Sequence, residues 1–329
     1  MTLIAPTLQG FFTERLINQR KVSERTIASY RDAIKLLLAF AQQRTGKPPS
    51  RLEWDDLDTE AIIAFLDHLE AGRGNSERTR NLRLTAIRSL YTYAALRHPE
   101  HSDLIARVLA IPTKRFDKAL ISFLTETETD ALTAAPDRSR WEGRRDHALL
   151  HLALQTGLRV SEITGLTCAD VSLGTGAHVR CLGKGRKHRA VPITKPTRAV
   201  LKVWIAERGD QADQPLFPTR TGRRLSTDAV ARLVREHART AARTCPSIQP
   251  EQLHPHVLRH TCAMRLLHAG VDTAVIALWL GHADLRSTNV YLHADMTIKQ
   301  KALERTAPAT TPPGRYRPSD PVLAFLESL

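Results

Sequence analysis

The chain has 329 residues, enough for two domains that each bury a core. Hydrophobic residues make up 42% and charged residues 25%, no apolar run approaches a membrane span, and the start MTLIAPTLQGFFTER lacks a secretion signal's basic and apolar segments, so membrane and secreted classes are not expected. Lys and Arg number 48 against 34 acidic residues, and the net charge of +14 points to a polyanionic partner, most simply nucleic acid.

Residues 1 to 110 read as successive helices. The runs 8–20, 23–44, 58–72 and 76–96 carry apolar residues at three- and four-residue spacing. Ser23 and Ser76 stand as N-caps, with Gly46 and Gly72 as stops. Arg78, Arg80, Arg83 and Arg88 stud the fourth run, and on so basic a chain they are expected to face phosphates; a solvated charged face is the plainer alternative. Residues 111–120, IPTKRFDKAL, hold a proline and no periodicity, and read as a linker between domains.

The second domain, 121–306, opens with Thr125 and Glu128 at capping-box spacing. A helix over 144–157 follows, ended by Gly157. Segment 178–193, HVRCLGKGRKHRAVPI, changes to two β-prone runs around a glycine-rich turn, the signal of a hairpin. Helices are expected at 196–208, 226–243, 256–269 and 273–280, with Ser226 as a cap and Gly270 as a stop. Residues 307–329 form a proline-rich tether ending in PVLAFLESL, whose Val322, Phe325, Leu326 and Leu329 share one helical face. The fold class is thus mainly α, with a small antiparallel β element in the second domain.

Four segments carry chemistry. In TGLRVSEITGL, Glu162 lies three residues after Arg159 and can buttress its guanidinium on a helical turn; a surface pair worth under about 1 kcal/mol is the alternative. In HPHVLRHTCAMRLL, Pro255 suits a first helical turn and places His256, Arg259 and His260 on one face, suited to an anion, while Val257, Leu258, Met264 and Leu267 turn to the core. Lys184 occupies the hairpin turn between glycines that permit close approach to a ligand, with Lys187 as the competing lysine. WLGHADLRSTNVYLHAD holds His282 and Tyr291 nine residues apart. The four cysteines (Cys168, Cys181, Cys245, Cys262) form no C-x-x-C pair and suit reduced thiols, and the 14 His include no H-E-x-x-H pair; no metal or cofactor is expected.

In their order and spacing these four motifs resemble the tyrosine recombinases, the phage integrase family, across most of residues 120–305, and the helical first domain is similar to that family's SAM-like core-binding domain. The resemblance implies Arg159, Lys184, His256, Arg259 and His282 as the activating set, Tyr291 as the nucleophile, and Glu162 as the acidic residue beside the first arginine. His260 matches a recurrent family position and reads as support through packing. The implied reaction cleaves DNA through a 3′-phosphotyrosyl bond and rejoins it without ATP, in integration, transposition or dimer resolution. Two guanidiniums neutralise the phosphate, His256 takes the tyrosine proton, His282 hydrogen-bonds the phosphate and Lys184 protonates the leaving 5′ oxygen.

The implied partners are duplex DNA with inverted half-sites, other copies of the chain in a tetrameric synapse, and accessory recombinases or DNA-bending proteins. The segment 321–329 is expected to dock on a neighbouring protomer, and packing on its own domain is the alternative. The implied setting is the bacterial cytoplasm, at the nucleoid. Three competing readings are a type IB topoisomerase, separated by relaxation without a specific site, a non-catalytic DNA-binding protein, which has no need for Tyr291, and a metal-dependent nuclease, which EDTA would stop.

Overall fold

The computed structural model describes residues 2–116, 121–183, 188–209 and 211–282, together with Thr288 and Tyr291. Lys184, Lys187 and the 307–329 segment, singled out above, lie outside the described residues. The chain divides into two compact units, Met1–Ala119 and Leu120–Leu329.

The first unit is helical throughout. Helix α1 (Ile4–Gly10) runs on as a π-helix over Phe11–Gln19 and is followed by α2 (Glu24–Thr45), α3 (Thr59–Ala71), α4 (Glu77–Ala94) and α5 (Ser102–Ala110). The capping side chains act as their residue types dictate. Ser23 Oγ accepts from the Thr26 amide at 3.3 Å, Asp58 Oδ1 from Ala61 at 2.8 Å and Ser76 Oγ from Thr79 at 3.4 Å. Gly46 closes α2 at a φ of 72°, the left-handed region that glycine enters without strain. Phe11, Leu37, Trp54, Ile62, Phe65, Leu66 and Tyr91 fill the core, with the Trp54 and Tyr91 rings edge to face at 5.4 Å.

The structure adds to the expectations for this unit in two places. Helix α5 was not anticipated, because SDLIARVLA is short and lies between a proline-led turn and the proline at 112. Three of the four α4 arginines meet carbonyls of their own unit. Arg80 is 5% exposed, lies 3.9 Å from Glu70 and donates to the Pro112 carbonyl at 3.2 Å; Arg88 donates to the Ile111 carbonyl; Arg83, half-buried, donates to the Ser29 carbonyl at 3.3 Å. Arg78 is the exposed one of the four. The same helix presents Asn81, whose amide donates to the Lys114 carbonyl at 2.8 Å and accepts its amide at 3.1 Å. Residues 111–114, placed in the linker by their composition, are therefore fastened along α4. A buried guanidinium needs several acceptors, and the carbonyls of an irregular segment supply them.

In the second unit, α6 (Glu126–Ala134) starts with the reciprocal cap between Thr125 and Glu128. Next come α7 (Trp141–Thr156), α8 (Val160–Gly165) and a three-stranded antiparallel sheet in the order β1 (Val171–Ser172), β2 (His178–Leu182) and β3 (His188–Pro192). The β2–β3 register sets Val179 opposite Val191 and Cys181 opposite Arg189. Helices α9 (Lys195–Arg208), α10 (Thr227–Ala241), α11 (Pro255–His268) and α12 (Thr273–Leu280) follow. The core gathers Leu149, Leu152, Val179, Val191, Leu201, Trp204 and Val234, and a smaller cluster joins Met264, Ile276, Leu280 and Tyr291. No helix among the described residues is long and apolar enough to cross a membrane.

Candidate active site

Two glycines that end helices organise the site. Gly157 closes α7 at a φ of 62° and Gly281 closes α12 at 66°, a conformation that costs a residue bearing a Cβ about 1–2 kcal/mol. A Cβ on Gly157 would lie 2.6 Å from Leu280 Cδ2, so the two helix ends pack directly on one another.

A helix leaves its last carbonyls unpaired and carries partial negative charge there, which suits cations. Here three consecutive carbonyls at the end of α12 each accept from a different arginine. Trp279 O takes Arg189 Nε at 3.2 Å, Leu280 O takes Arg259 Nη2 at 2.7 Å and Gly281 O takes Arg159 Nη2 at 2.8 Å. Arg259 also donates through Nη1 to Gly157 O at 2.6 Å, spanning both helix ends.

Arg159 stands at the N-cap of α8, and Glu162 folds back to accept its amide and its Nη1, each at 2.8 Å. The Glu162 side chain is 3% exposed and also receives Arg189 in a two-pronged pair, at 2.9 and 2.8 Å. Burial works to raise the Glu162 carboxyl, but the hydrogen bonds from Arg189 and from the Arg159 amide outweigh it and hold it below the usual carboxylate range. Burial, with Arg159 nearby, lowers Arg259 to about 10, so it stays charged at neutral pH. Three guanidiniums against one carboxylate leave a buried excess of positive charge, a site for an anion.

Tyr291 is 3% exposed and helical, and its hydroxyl lies 3.1 Å from His260 Nδ1. The His282 ring lies parallel to the Tyr291 ring, centroids 6.3 Å apart, and its Nδ1 is 2.7 Å from the hydroxyl of the fully buried Thr288. Burial pushes both His260 and His282 down to about 4; His256 adds to the effect on the first, and Arg259 and Arg159 on the second. Both rings are therefore neutral at pH 7, and a neutral His260 can accept the Tyr291 proton. Burial raises the Tyr291 phenol above its usual value, against the pull of Arg259. Burial likewise raises Cys262 to about 12 and Cys181 to about 11, so neither thiol is a ready nucleophile.

The structure thus gathers Arg159, Glu162, Arg259, His260, His282 and Tyr291. His256, assigned the tyrosine proton above, is exposed one helical turn before His260, its ring 6.4 Å from the latter's. The ring that meets Tyr291 is His260, because the later position on α11 points deeper. Arg189 was missed, although its strand carried a signal. It stands two residues before the buried Val191 and opposite the buried Cys181, so alternation turns it inward, where a charge needs a partner. Among the described residues no group of three or more His, Cys, Asp or Glu is arranged to hold a metal ion. A cavity of about 470 Å³ bordered by His151, Gln155, Cys262, Arg265 and Trp279 includes none of the six gathered residues.

The sequence profile of the phage integrase family matches residues 122–297, and that of the phage integrase N-terminal SAM-like domain matches residues 10–98. The chain belongs to the phage integrase family. It is 54% identical to an integrase/recombinase of Sinorhizobium fredii, y4rC, over 99% of this chain and 98% of that one. It is 33% identical to the tyrosine recombinase XerC of Pseudomonas aeruginosa, over 90% of this chain and 93% of that one. Among solved structures, the XerH site-specific recombinase in a post-cleavage complex with palindromic difH DNA matches with a TM-score of 0.69 and 22% identity, over 87% of this chain and 81% of that one. The Tn1549 transposon integrase with circular intermediate DNA matches at 0.69 and 17%, over 91% and 99%. At these identities the likeness shows that this integrase-family chain shares their fold.

Proposed function

We propose that this integrase-family chain is a site-specific DNA recombinase whose Tyr291 attacks a scissile phosphate activated by Arg159 and Arg259. The observation that carries the reading is the Tyr291 hydroxyl hydrogen-bonded to His260 inside a buried, positively charged site. The two arginines bind the non-bridging oxygens and stabilise the charge that grows on them as phosphorus becomes five-coordinate.

A tyrosine with a pKa near 10 is ionised in only about one molecule in a thousand at pH 7. With Tyr291 raised and His260 lowered, proton transfer between them is uphill in the free protein. Tyr291 thus stays protonated and unreactive until a phosphate is seated. As the Tyr291 oxygen bonds to phosphorus its proton passes to His260, and the bond to the 5′ oxygen breaks. Lys184 supplies the proton for that oxygen, and His256 and His282 donate hydrogen bonds to the phosphate. The product is a 3′-phosphotyrosyl link and a free 5′ hydroxyl, and the link stores the energy for rejoining.

Exchange of strands needs two duplexes, hence a tetramer, each protomer on one inverted half-site. The 321–329 segment docks on a neighbouring protomer. The DNA-bound states named for XerH and the Tn1549 integrase, and a lambda integrase dimer bound to a core site, support a DNA substrate and assembly of copies. Accessory recombinases or DNA-bending proteins set direction, and the site of action is the nucleoid.

The test uses nicked suicide DNA carrying sequences that flank the gene, incubated in EDTA and run on a denaturing gel. Wild type should form a covalent protein–DNA adduct, and Tyr291→Phe should form none while still binding the DNA. Adduct formation that survives the substitution would overturn the mechanism.

A further inference from the structure

Arg189 has no role in the reaction set out above, yet it joins three of the segments that build the site. It stands on β3, which pairs with β2, and its guanidinium reaches both Glu162 and the Trp279 carbonyl. It also lies against Gly281, where an added Cβ would come within 2.6 Å of Arg189 Nη1. Three of its five N–H donors are engaged inside the protein, one on each guanidinium nitrogen, so its fork is spent on Glu162 and its Nε on the Trp279 carbonyl.

We propose that Arg189 is a positioning residue for strand cleavage, holding the Glu162 carboxylate so that Arg159 keeps its charge for the phosphate, and tying the hairpin to the end of α12. The Glu162 carboxylate has about four acceptor positions. Arg159 fills two, through its amide and Nη1, and Arg189 fills the other two. With both guanidiniums present the trio carries one net positive charge. Without Arg189 it carries none, because a carboxylate whose side chain is 3% exposed has only Arg159 left to compensate it. The first arginine of the site would then be neutralised by its own buttress. This inference rests on the recombinase reading, since it assigns Arg159 to the phosphate.

The experiment compares wild type, Arg189→Gln, Glu162→Gln and the double variant in full-length protein. It measures adduct formation on the nicked suicide DNA and, separately, binding to a half-site. Each protein is also assayed on the same DNA with an uncharged methylphosphonate at the scissile position, where the need for guanidinium charge is reduced. Arg189→Gln is expected to slow cleavage of the ordinary phosphate by roughly 10- to 100-fold, the range for groups that orient the residue in contact with a ligand, with half-site binding retained. The defect should largely close on the methylphosphonate, and Glu162→Gln in the same chain should restore much of the rate, because the uncompensated carboxylate is gone.

Equal slowing on both substrates, with the double variant as slow as the two singles multiplied, would reduce Arg189 to a packing residue and overturn the proposal. So would a wild-type rate in Arg189→Gln. If Arg189→Gln loses half-site binding, Arg189→Lys takes its place: keeping the charge but not the fork, it should retain most of the rate, and a rate as low as that of Arg159→Ala would count against the proposal. Absence of any adduct with wild type would instead remove the recombinase reading, and this one with it.

Discussion

His260 and His282 both tie the stability of the fold to pH. Burial holds both near 4, against the 6.5 of an exposed imidazole. Above pH 6.5 they are neutral whether the chain is folded or not, so they cost no stability. As pH falls from 6.5 towards 4 the unfolded chain takes up protons that the folded one refuses, and stability is lost across that window. After allowance for solvent screening the loss is about 1 kcal/mol per ring, or roughly 2–4 °C of melting temperature for a unit of this size. The melting temperature should therefore fall between pH 7 and 4.5, and should fall less in a His260→Asn, His282→Asn double variant. An identical fall in both proteins would show that other groups dominate. The same residues show what sequence can and cannot deliver. Spacing put His256, Arg259 and His260 on one face of a helix, and the structure keeps them there. Which of the two rings meets Tyr291 depends on depth, and depth depends on how α11 packs against its neighbours, which no local pattern encodes.

At the scale of elements, the helix ends do more than the helix faces. Capping residues such as Ser23, Ser76, Thr125 and Ser226 were readable because their chemistry is local, and the hairpin was readable from its change of period. The partners of the α4 arginines were not readable, for the converse reason. A row of arginines looks the same whether it meets phosphate or the carbonyls of residues 111 and 112, and only the path of the chain after α5 decides. The decisive elements for the site are α7 and α12, each closed by a glycine at positive φ. Gly281→Ala combines a backbone cost of about 1–2 kcal/mol with a Cβ that displaces Arg189. It is expected to lower the adduct rate well beyond its effect on melting temperature, measured by calorimetry beside the suicide-substrate assay. A rate that follows the stability change alone would mean that the α12 end does not need its present form.

For the molecule as a whole, the first unit carries none of the residues gathered around Tyr291, and all of that site comes from the second. The net charge of +14 supplies an attraction for a polyanion. The fold class and the family were legible at this scale because four short motifs in order constrain a sequence far more than any one does. Assembly was not, since the contacts between copies belong to no single chain. Deleting residues 307–329 tests the proposed docking of the tail. Cooperative assembly on paired half-sites, followed by gel shift, should weaken more than binding to a single half-site. Equal losses in both would place the tail on its own protomer.

Three arginines end on the main-chain oxygens of Trp279, Leu280 and Gly281. Those oxygens are present whatever side chains occupy the positions, so alanine scanning along α12 would pass over the groups that aim the site's cations. What could remove them is a change of reading length, one residue inserted or lost before Gly281, which would rotate the helix end by about 100° and turn all three acceptors away at once. Exposed positions such as Val275 and Leu278 can vary along this stretch, whereas its length cannot.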